Sequence, residues 1–450
     1  MRKIMIIALI TAALAADIPA VEQLSISLAE VEKSSLSNSF RLKAAREEAR
    51  GARNRSRAQF AGFLPKLSID GFYRYNSVVP EITLASPGAR AMKLTDNPSY
   101  SIGPSVSWML WDTGATYSSW KSALAAASAK EKEAEVAERQ ALLAARNAYL
   151  QIVLAAEQVL SVSDALKLSQ TQYKDIELNA QAGTKSRMDK LYAHQEVLSR
   201  SRQLSQARSE LAGYIRDLAA LTGESYCGSN CVIADGRFTG EIYSDISAPN
   251  SVISLDSIET LFKILEPYRG AQFWEGHPGI ESLGELAESI RFAEKNSSSN
   301  LWPKIQVSAR SALDYPNGPK FEEFNQNSVS ASLAWPLFDS GLTANRAKEN
   351  RSARNSALAK KEQAAIDLKR DWEKTMDRLG QLDEQENINK DALREAEELA
   401  LIVYNTYLNG SVSFIEVQNA NYRALEAKLQ LARTRVQILM NLSVLASLAK

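Results

Sequence analysis

Histidine and cysteine are nearly absent, with two of each in 450 residues. A catalytic or metal centre built on clustered imidazoles has too few ligands in His194 and His277. Cys227 and Cys231, with no histidine nearby, fall short of the four ligands of a structural zinc site, so no metal is expected. Net charge is missing as well, at 53 Lys+Arg against 53 Asp+Glu. Nucleic acid is thereby disfavoured as a partner, because neutralising phosphates needs a net basic face. No Ser-His-Asp set, phosphate-binding loop or dinucleotide fingerprint stands in a strand-turn-helix context, so neither catalytic residues nor a cofactor are expected. Beyond the first sixteen residues no stretch reaches about 18 uninterrupted apolar residues, which argues against a transmembrane helix. What remains, 45% hydrophobic residues without charge imbalance, argues against wholesale disorder and, as totals, reads as a soluble globular protein.

The N-terminus departs from that average. Met1-Arg2-Lys3 is basic, Ile4 to Ala16 is an uncharged, mostly apolar run, and Ala13-Leu14-Ala15 offers a small-x-small cleavage site. The pattern predicts a secretory signal peptide over residues 1–15, too short to span a bilayer as a helix. No cysteine follows the run, so a lipid anchor is not expected.

One offset, 227 residues, organises the rest. Trp108-Met109-Leu110-Trp111-Asp112-Thr113-Gly114 falls on Trp335-Pro336-Leu337-Phe338-Asp339-Ser340-Gly341. Gly183-x-x-Ser186-x-x-Asp189 falls on Gly410-x-x-Ser413-x-x-Glu416, and Leu204, Leu211, Leu218 and Leu221 fall on Leu431, Ile438, Leu445 and Leu448. The chain reads as two copies of one unit, residues 16–222 and 258–450, joined by a Gly/Ser-rich equatorial linker, 223–257, that carries the cysteine pair. Upstream, Pro65 and Pro303 are 238 apart, which places an insertion or deletion between each Pro and its Trp.

Within each copy the hydrophobic period switches from strand to helix. A helix opens each copy, and strands are expected at about 66–79 and 98–110, then 303–314 and 326–337. Long helices follow at 113–182 and 340–409, with return helices at 184–222 and 411–448. The long segments contain no proline, and Tyr149, Val153, Ala156 and Leu160 follow helical seam spacing. Val197, Leu204, Leu211 and Leu218 repeat every seven residues in the first return helix. About 70 residues at 1.5 Å each make a helix of roughly 100 Å, too long for an ordinary globular domain.

The strands alternate apolar with small or polar residues, as in Tyr100, Ile102, Pro104, Val106, Trp108 and Leu110 against Ser99, Ser101, Gly103, Ser105 and Ser107. Phe72 is an exception, an aromatic on a polar face. Alternation alone also suits a half-buried sheet of a soluble domain. The signal peptide, the long helices joined to each strand pair, and Trp108 and Trp335 at equivalent strand ends turn the reading toward transmembrane strands with an aromatic girdle. A membrane sheet leaves no edge in lipid, and the smallest single-chain barrels have about eight strands. Four strands therefore close only as an oligomer, and the small inner faces favour a twelve-stranded trimer with an open lumen over an eight-stranded dimer. The loops from Pro80 to Pro98 and Tyr315 to Asn325 would face the exterior.

The repeat, the strand-ending signatures Trp111-Asp112-Thr113-Gly114 and Phe338-Asp339-Ser340-Gly341, and the Gly-x-x-Ser-x-x-Asp/Glu turns resemble the TolC family of outer-membrane efflux and secretion channels, over about Leu24 to Leu448. The resemblance implies a mainly α fold with a transmembrane β portion. Four strands per chain would contribute to a twelve-stranded barrel of a homotrimer, continuous with a long periplasmic α-helical barrel. It also implies a passive exit duct in outer-membrane lipid. The duct would be joined by a periplasmic adaptor (membrane fusion) protein to an inner-membrane pump of RND, ABC or MFS type. The long helices alone would also suit a periplasmic coiled-coil adaptor or scaffold.

At the helix hairpins the local reading is capping. Gly183 and Gly410 suit the residue past a helix end, Ser186 and Ser413 suit N-caps, and Asp189 and Glu416 complete capping boxes. The resemblance adds that Asp189 and Glu416 line a constricted periplasmic entrance, that Tyr407 belongs to a gate network, and that the tip hairpins dock the adaptor. Tyr407 also suits a simply packed aromatic. The sequence departs from the family pattern at Val412, where a gate arginine would stand, and at Asn419, where a second acidic ring residue would stand. In an oxidising periplasm Cys227 and Cys231 are expected to close a small disulfide loop. His194 is expected to be an ordinary helix residue, and His277 to lie in a turn beside Pro278.

Overall fold

The computed structural model describes residues 22–82, 91–224, 226, 231–233, 251–273 and 275–449. The expected signal peptide lies outside these residues. So does the expected disulfide: Cys227 is not described, and Cys231 is described only as backbone. The chain divides into two compact units, one of Met1–Lys43, Val136–His277 and Ile366–Lys450, the other of Ala44–Glu135 and Pro278–Ala365. Neither unit coincides with a sequence repeat, since each draws on both copies.

The fold is mainly α with a smaller β portion. Its helices are α1 (Leu28–Asn38), α2 (Phe40–Phe60), α3 (Ala115–Gln181), α4 (Arg187–Thr222), α5 (Ile258–Leu265), α6 (Pro278–Ser299), α7 (Leu342–Leu408) and α8 (Phe414–Leu448). Both long helices, α3 and α7, have 67 residues, and both α3/α7 and α4/α8 begin 227 positions apart. The duplication seen in the sequence therefore extends to helix length. Neither long helix contains proline, and turn-spaced ion pairs support them, including Lys130–Glu133 at 2.7 Å and Lys390–Glu386 at 2.9 Å.

In the first unit, apolar stripes of α1, α3, α4, α7 and α8 share one core, which includes Val31, Ile152, Leu218, Leu382 and Leu439. Tyr149 pins this core to the chain's edges. Its hydroxyl donates to the Ile26 carbonyl at 2.9 Å and accepts from the Asp256 N–H at 3.0 Å, while the Asp256 carboxylate accepts from the Leu28 N–H at 2.8 Å. Three short strands, β1 (Glu22–Ile26), β6 (Cys231–Ile233) and β7 (Ser251–Leu255), form a parallel sheet in the order β1-β7-β6. No periodicity predicts these strands, because each has at most five residues and the pairing of β1 with β7 unites segments more than 200 residues apart.

The second unit carries the main sheet, whose strands are β2 (Lys66–Tyr75), β5 (Pro98–Trp111), β8 (Lys304–Tyr315) and β9 (Phe324–Ala334), antiparallel throughout in the order β2-β5-β8-β9. A small ladder, β3 (Glu81–Ile82) with β4 (Met92–Lys93), sits in the first connecting loop. The two repeats end their second strands differently. β5 runs to Trp111, whereas β9 stops at Ala334, short of the expected 337, because Pro336 replaces Met109 and has no N–H for a ladder.

At Gly103 the backbone of β5 lies close against that of β8. A Cβ there would lie 2.1 Å from the Ser311 carbonyl oxygen and 2.5 Å from Ala312 Cα, both backbone atoms that cannot swing away. Gly103→Ala is expected to break this pairing and lower the yield of heat-stable folded protein severalfold. Gly213→Ala, in α4 with nothing within 4 Å, should be neutral or stabilising by roughly 0.5–1 kcal/mol. Equal thermal stability of the two variants would count against the argument.

Candidate functional site

The register of the main sheet sorts its side chains into two chemically distinct faces. One face carries the rows Leu67–Val106–Ala309–Val329 and Gly71–Ile102–Leu313–Asn325. The other carries Lys66–Ser107–Ser308–Ser330 and Ser68–Ser105–Arg310–Ser328. All six charged residues of the four strands, Lys66, Asp70, Arg74, Lys304, Arg310 and Asp314, fall on the second face. Among the described residues the apolar face is largely open, with Ile69 76% and Val329 80% exposed. The polar face is internally hydrogen-bonded, with Ser68 and Ser105 hydroxyls 2.8 Å apart and Ser308 and Ser330 hydroxyls 2.7 Å apart. Both outer strands, β2 and β9, keep a free edge among the described residues.

Aromatic residues bracket the apolar face at both ends. At the helix end, Trp108 donates its indole N–H to the Phe63 carbonyl at 3.0 Å, and Trp335 donates to the Leu301 carbonyl at 3.2 Å. The two tryptophans thus make the same bond in the two repeats. At the loop end, Tyr73, Tyr100 and Tyr315 form one row, with the Tyr100 and Tyr315 rings stacked 5.1 Å apart. Sequence reading identified only the tryptophan girdle, although the tyrosines stood at the opposite strand ends in plain view. Trp108 stands eight positions beyond Tyr100, about 26 Å along the strand and roughly 20 Å of height at a barrel tilt of about 40°, somewhat less than the apolar band of about 25 Å in outer-membrane barrels.

Each strand hands over to its long helix through the same device. Asp112 accepts from the Gly114 N–H at 3.1 Å and the Thr116 N–H at 2.6 Å, and Asp339 accepts from the Gly341 N–H at 3.0 Å and the Thr343 N–H at 2.9 Å. Thr113 and Ser340 have φ of 56° and 55°, and Gly114 and Gly341 follow at 81° and 82°. Two successive left-handed residues turn the chain sharply, and the aspartate satisfies the helix's first N–H groups. The exposed Trp111 and Phe338 precede the turns on the same side of the sequence signature. Hydrogen bonds from Thr343 and Gly341 hold the Asp339 carboxyl below its usual pKa.

The hairpins of the first unit turn at Gly183 and Gly410, with φ of 77° and 80°. Ser186 caps α4, its hydroxyl accepting from the Asp189 N–H at 3.1 Å. Ser413 does not repeat this. It has N-cap backbone angles but no side-chain cap bond, because the Glu416 N–H is taken by the Ser413 carbonyl at 3.1 Å. Neither hairpin completes the expected capping box: the Ser186 hydroxyl makes its half without a return bond to the Asp189 carboxylate, and the Ser413 hydroxyl makes none. Glu416 and Asn419 are exposed, and Val412 packs against an apolar cluster of Ile176, Ala193, Tyr407, Phe414 and Val417.

Tyr407 is 2% exposed, its ring lies 5.4 Å from Phe414, and its hydroxyl is buried without a hydrogen-bond partner. Burial first, then the charge of Asp189, pushes its pKa up to about 12, so the phenol stays neutral. Tyr404 is pushed up to about 12 by burial and by Asp175, which accepts its hydroxyl at 3.2 Å.

Lys185, which sequence reading missed, joins the two hairpins. Its Nζ donates to the Tyr407 carbonyl at 2.7 Å and lies 4.1 Å over the Tyr407 ring. That carbonyl, among the last of α7, also accepts from the Gly410 N–H at 2.9 Å, so Lys185 takes its second lone pair where the helix dipole favours a cation. No local sequence pattern signals the contact, since the residues are 222 apart.

His194 is exposed on α4 with its ring 5.3 Å from Tyr173. His277 directly follows the turn at Glu275 and Gly276, beside Pro278 at the start of α6, and is buried at 6% exposed. Burial and then the charge of Arg139 lower its pKa, partly offset by a hydrogen bond to the Ser447 backbone. The folded chain thus prefers neutral His277, while the unfolded chain titrates near the ordinary value of about 6.5. Stability from this site is complete above about pH 6.5 and declines as pH falls toward the lowered folded value. Thermal melts at pH 7.5 and 5.5 should show a larger acid loss for wild type than for His277→Gln.

A sheet with one charge-free exposed face and one polar face, joined to paired long helices, defines a membrane-channel subunit. The chain belongs to the outer membrane efflux protein family, whose sequence model matches residues 32–224 and 295–449. Members are transport channels of the outer membrane that reach into the periplasm and work with adaptor and inner-membrane pump partners. No curated protein matches the sequence. Among solved structures, the chain resembles the outer membrane protein VceC of Vibrio cholerae, at 16% identity over 94% of this chain and 95% of that one, TM-score 0.71. It also resembles the open-state MtrE channel of Neisseria gonorrhoeae, at 15% identity over 93% and 88%, TM-score 0.71. The CmeC outer membrane channel of Campylobacter jejuni is similar at 14% identity over 93% and 84%, TM-score 0.70. At such identities the likeness shows the fold, TolC-like, with a helical barrel portion and a β portion.

Proposed function

We propose that the protein is one third of a homotrimeric exit duct in a tripartite efflux pump or a type I secretion system. It passively conducts substrates received from an inner-membrane transporter through a periplasmic adaptor. The observation that carries this reading is the sorting of all six strand charges onto one face of a sheet with two free edges. The charge-free face suits lipid, the charged face suits water, and free edges in lipid must pair with other copies. Three copies give twelve strands and an open lumen.

In this reading the hairpins at Gly183, Ser186, Gly410 and Ser413 form the tip that docks the adaptor. Asp189 and Glu416 repeat three times around the entrance, and Tyr407 packs the closed gate, which splays when the inner-membrane complex docks. Native mass measurement of the particle in detergent tests the assembly, with three chain masses expected. A monomer, or full conductance in planar bilayers without any partner, would overturn it. Acidic rings concentrate multivalent cations. Hexaamminecobalt added from the periplasmic side should block the current, and Asp189→Asn or Glu416→Gln should each raise the half-blocking concentration severalfold.

A further inference from the structure

One row of the polar sheet face is not explained by solvation. Neighbouring rows hold serine, glycine and charge, whereas the row Phe72–Ser101–Asp314–Phe324 places aromatic rings on both edge strands, near the loop end of the sheet. Phe72 is 51% exposed, so burial does not account for it, and its row neighbours Ser101 and Asp314 exclude a lipid contact. The Arg74 guanidinium lies 5.5 Å over the Phe72 ring. Arg310 reaches along its strand to donate to the Ser101 hydroxyl, which donates in turn to Asp314, so a second guanidinium enters the row. Asp314 offsets Arg310 through that serine, and Asp70 is engaged by the Ser68 and Ser105 hydroxyls one row away. Arg74 is left presenting positive charge beside an aromatic face.

We propose that Phe72, Arg74, Arg310 and Phe324 form a guanidinium–aromatic collar on the lumenal face that binds planar aromatic anions, carboxylates or sulfonates, on their way out. The collar rests on the barrel reading above. A flat ring stacks on the Phe72 phenyl face, while its anionic group takes the N–H donors of Arg74; Phe324, three strand spacings or about 14 Å across the row, offers a second stacking face. Arginine suits both parts, since its planar, weakly hydrated cation stacks and forks at once.

The test is calorimetric titration of the assembled particle in lipid nanodiscs with 2-naphthalenesulfonate, and with methanesulfonate as an anion lacking the ring. Wild type should bind the first and not measurably the second. Phe72→Ala and Arg74→Gln should each weaken binding by about tenfold, the scale of one stacking or cation–π contact. Ser332→Ala, on the same face but far from the row, should leave binding unchanged. Wild-type affinity in both Phe72→Ala and Arg74→Gln, equal binding of methanesulfonate, or no binding of 2-naphthalenesulfonate to wild type would overturn the collar. Native mass is measured on the same samples. A single-chain particle would overturn the barrel reading itself, whereas a correctly assembled trimer that ignores the sulfonate removes only the collar.

Discussion

Val329→Arg is expected to abolish accumulation of the assembled protein in the outer membrane, while Ser330→Arg, one residue along, leaves it nearly intact. The two positions are adjacent in β9 but point to opposite faces, Val329 in the row with Leu67, Val106 and Ala309, Ser330 in the row with Lys66, Ser107 and Ser308. An arginine on the lipid face costs roughly 2–4 kcal/mol at the bilayer midplane. Repeated in the three subunits of the proposed trimer, the cost reaches about 6–12 kcal/mol, comparable with the whole stability of a typical domain. On the lumenal face the same side chain meets water and a neighbouring serine ladder. Heat-modifiable mobility of outer-membrane fractions reads the difference directly. Equal loss in both variants would mean that the faces are not divided between lipid and water.

Lys185→Met is expected to raise the conductance of the resting channel. Methionine keeps the apolar stem but removes the ammonium that bonds the Tyr407 carbonyl at 2.7 Å and covers its ring. A hydrogen bond to a charged group contributes about 1.5–3 kcal/mol, and partial solvent access puts this one toward the lower end. Each 1.4 kcal/mol is a factor of ten in an equilibrium, so the open fraction should rise roughly tenfold. Lys185→Arg should restore much of the closed state, because a guanidinium can reach the same carbonyl. An unchanged resting conductance in the methionine variant would remove Lys185 from the gate.

The parts of this molecule legible in its sequence are those set by local chemistry repeated at one offset. Asp112 and Asp339, with a left-handed glycine two residues on, announced the strand-to-helix turns. Proline-free stretches announced two helices of equal length. Alternation located the strands, because side chains on a pleated strand point to opposite faces in turn. Contacts between distant segments were not legible. The parallel pairing of β1 with β7 joins five-residue strands too short to show a period. The Ser413 side-chain cap failed although its motif matched, because the residue's own backbone carbonyl took the N–H that its hydroxyl would have bound.

Lys185 and Val412 occupy equivalent positions in the two repeats, 227 apart. The cation absent from the second hairpin is therefore present in the first, and it reaches its partner within the same chain. A latch that crossed between subunits would couple their motions and favour all-or-none opening. One closed inside each subunit lets the three release independently. Recordings of the proposed trimer should then show partial conductance levels between closed and open, set by how many subunits an arriving partner has engaged.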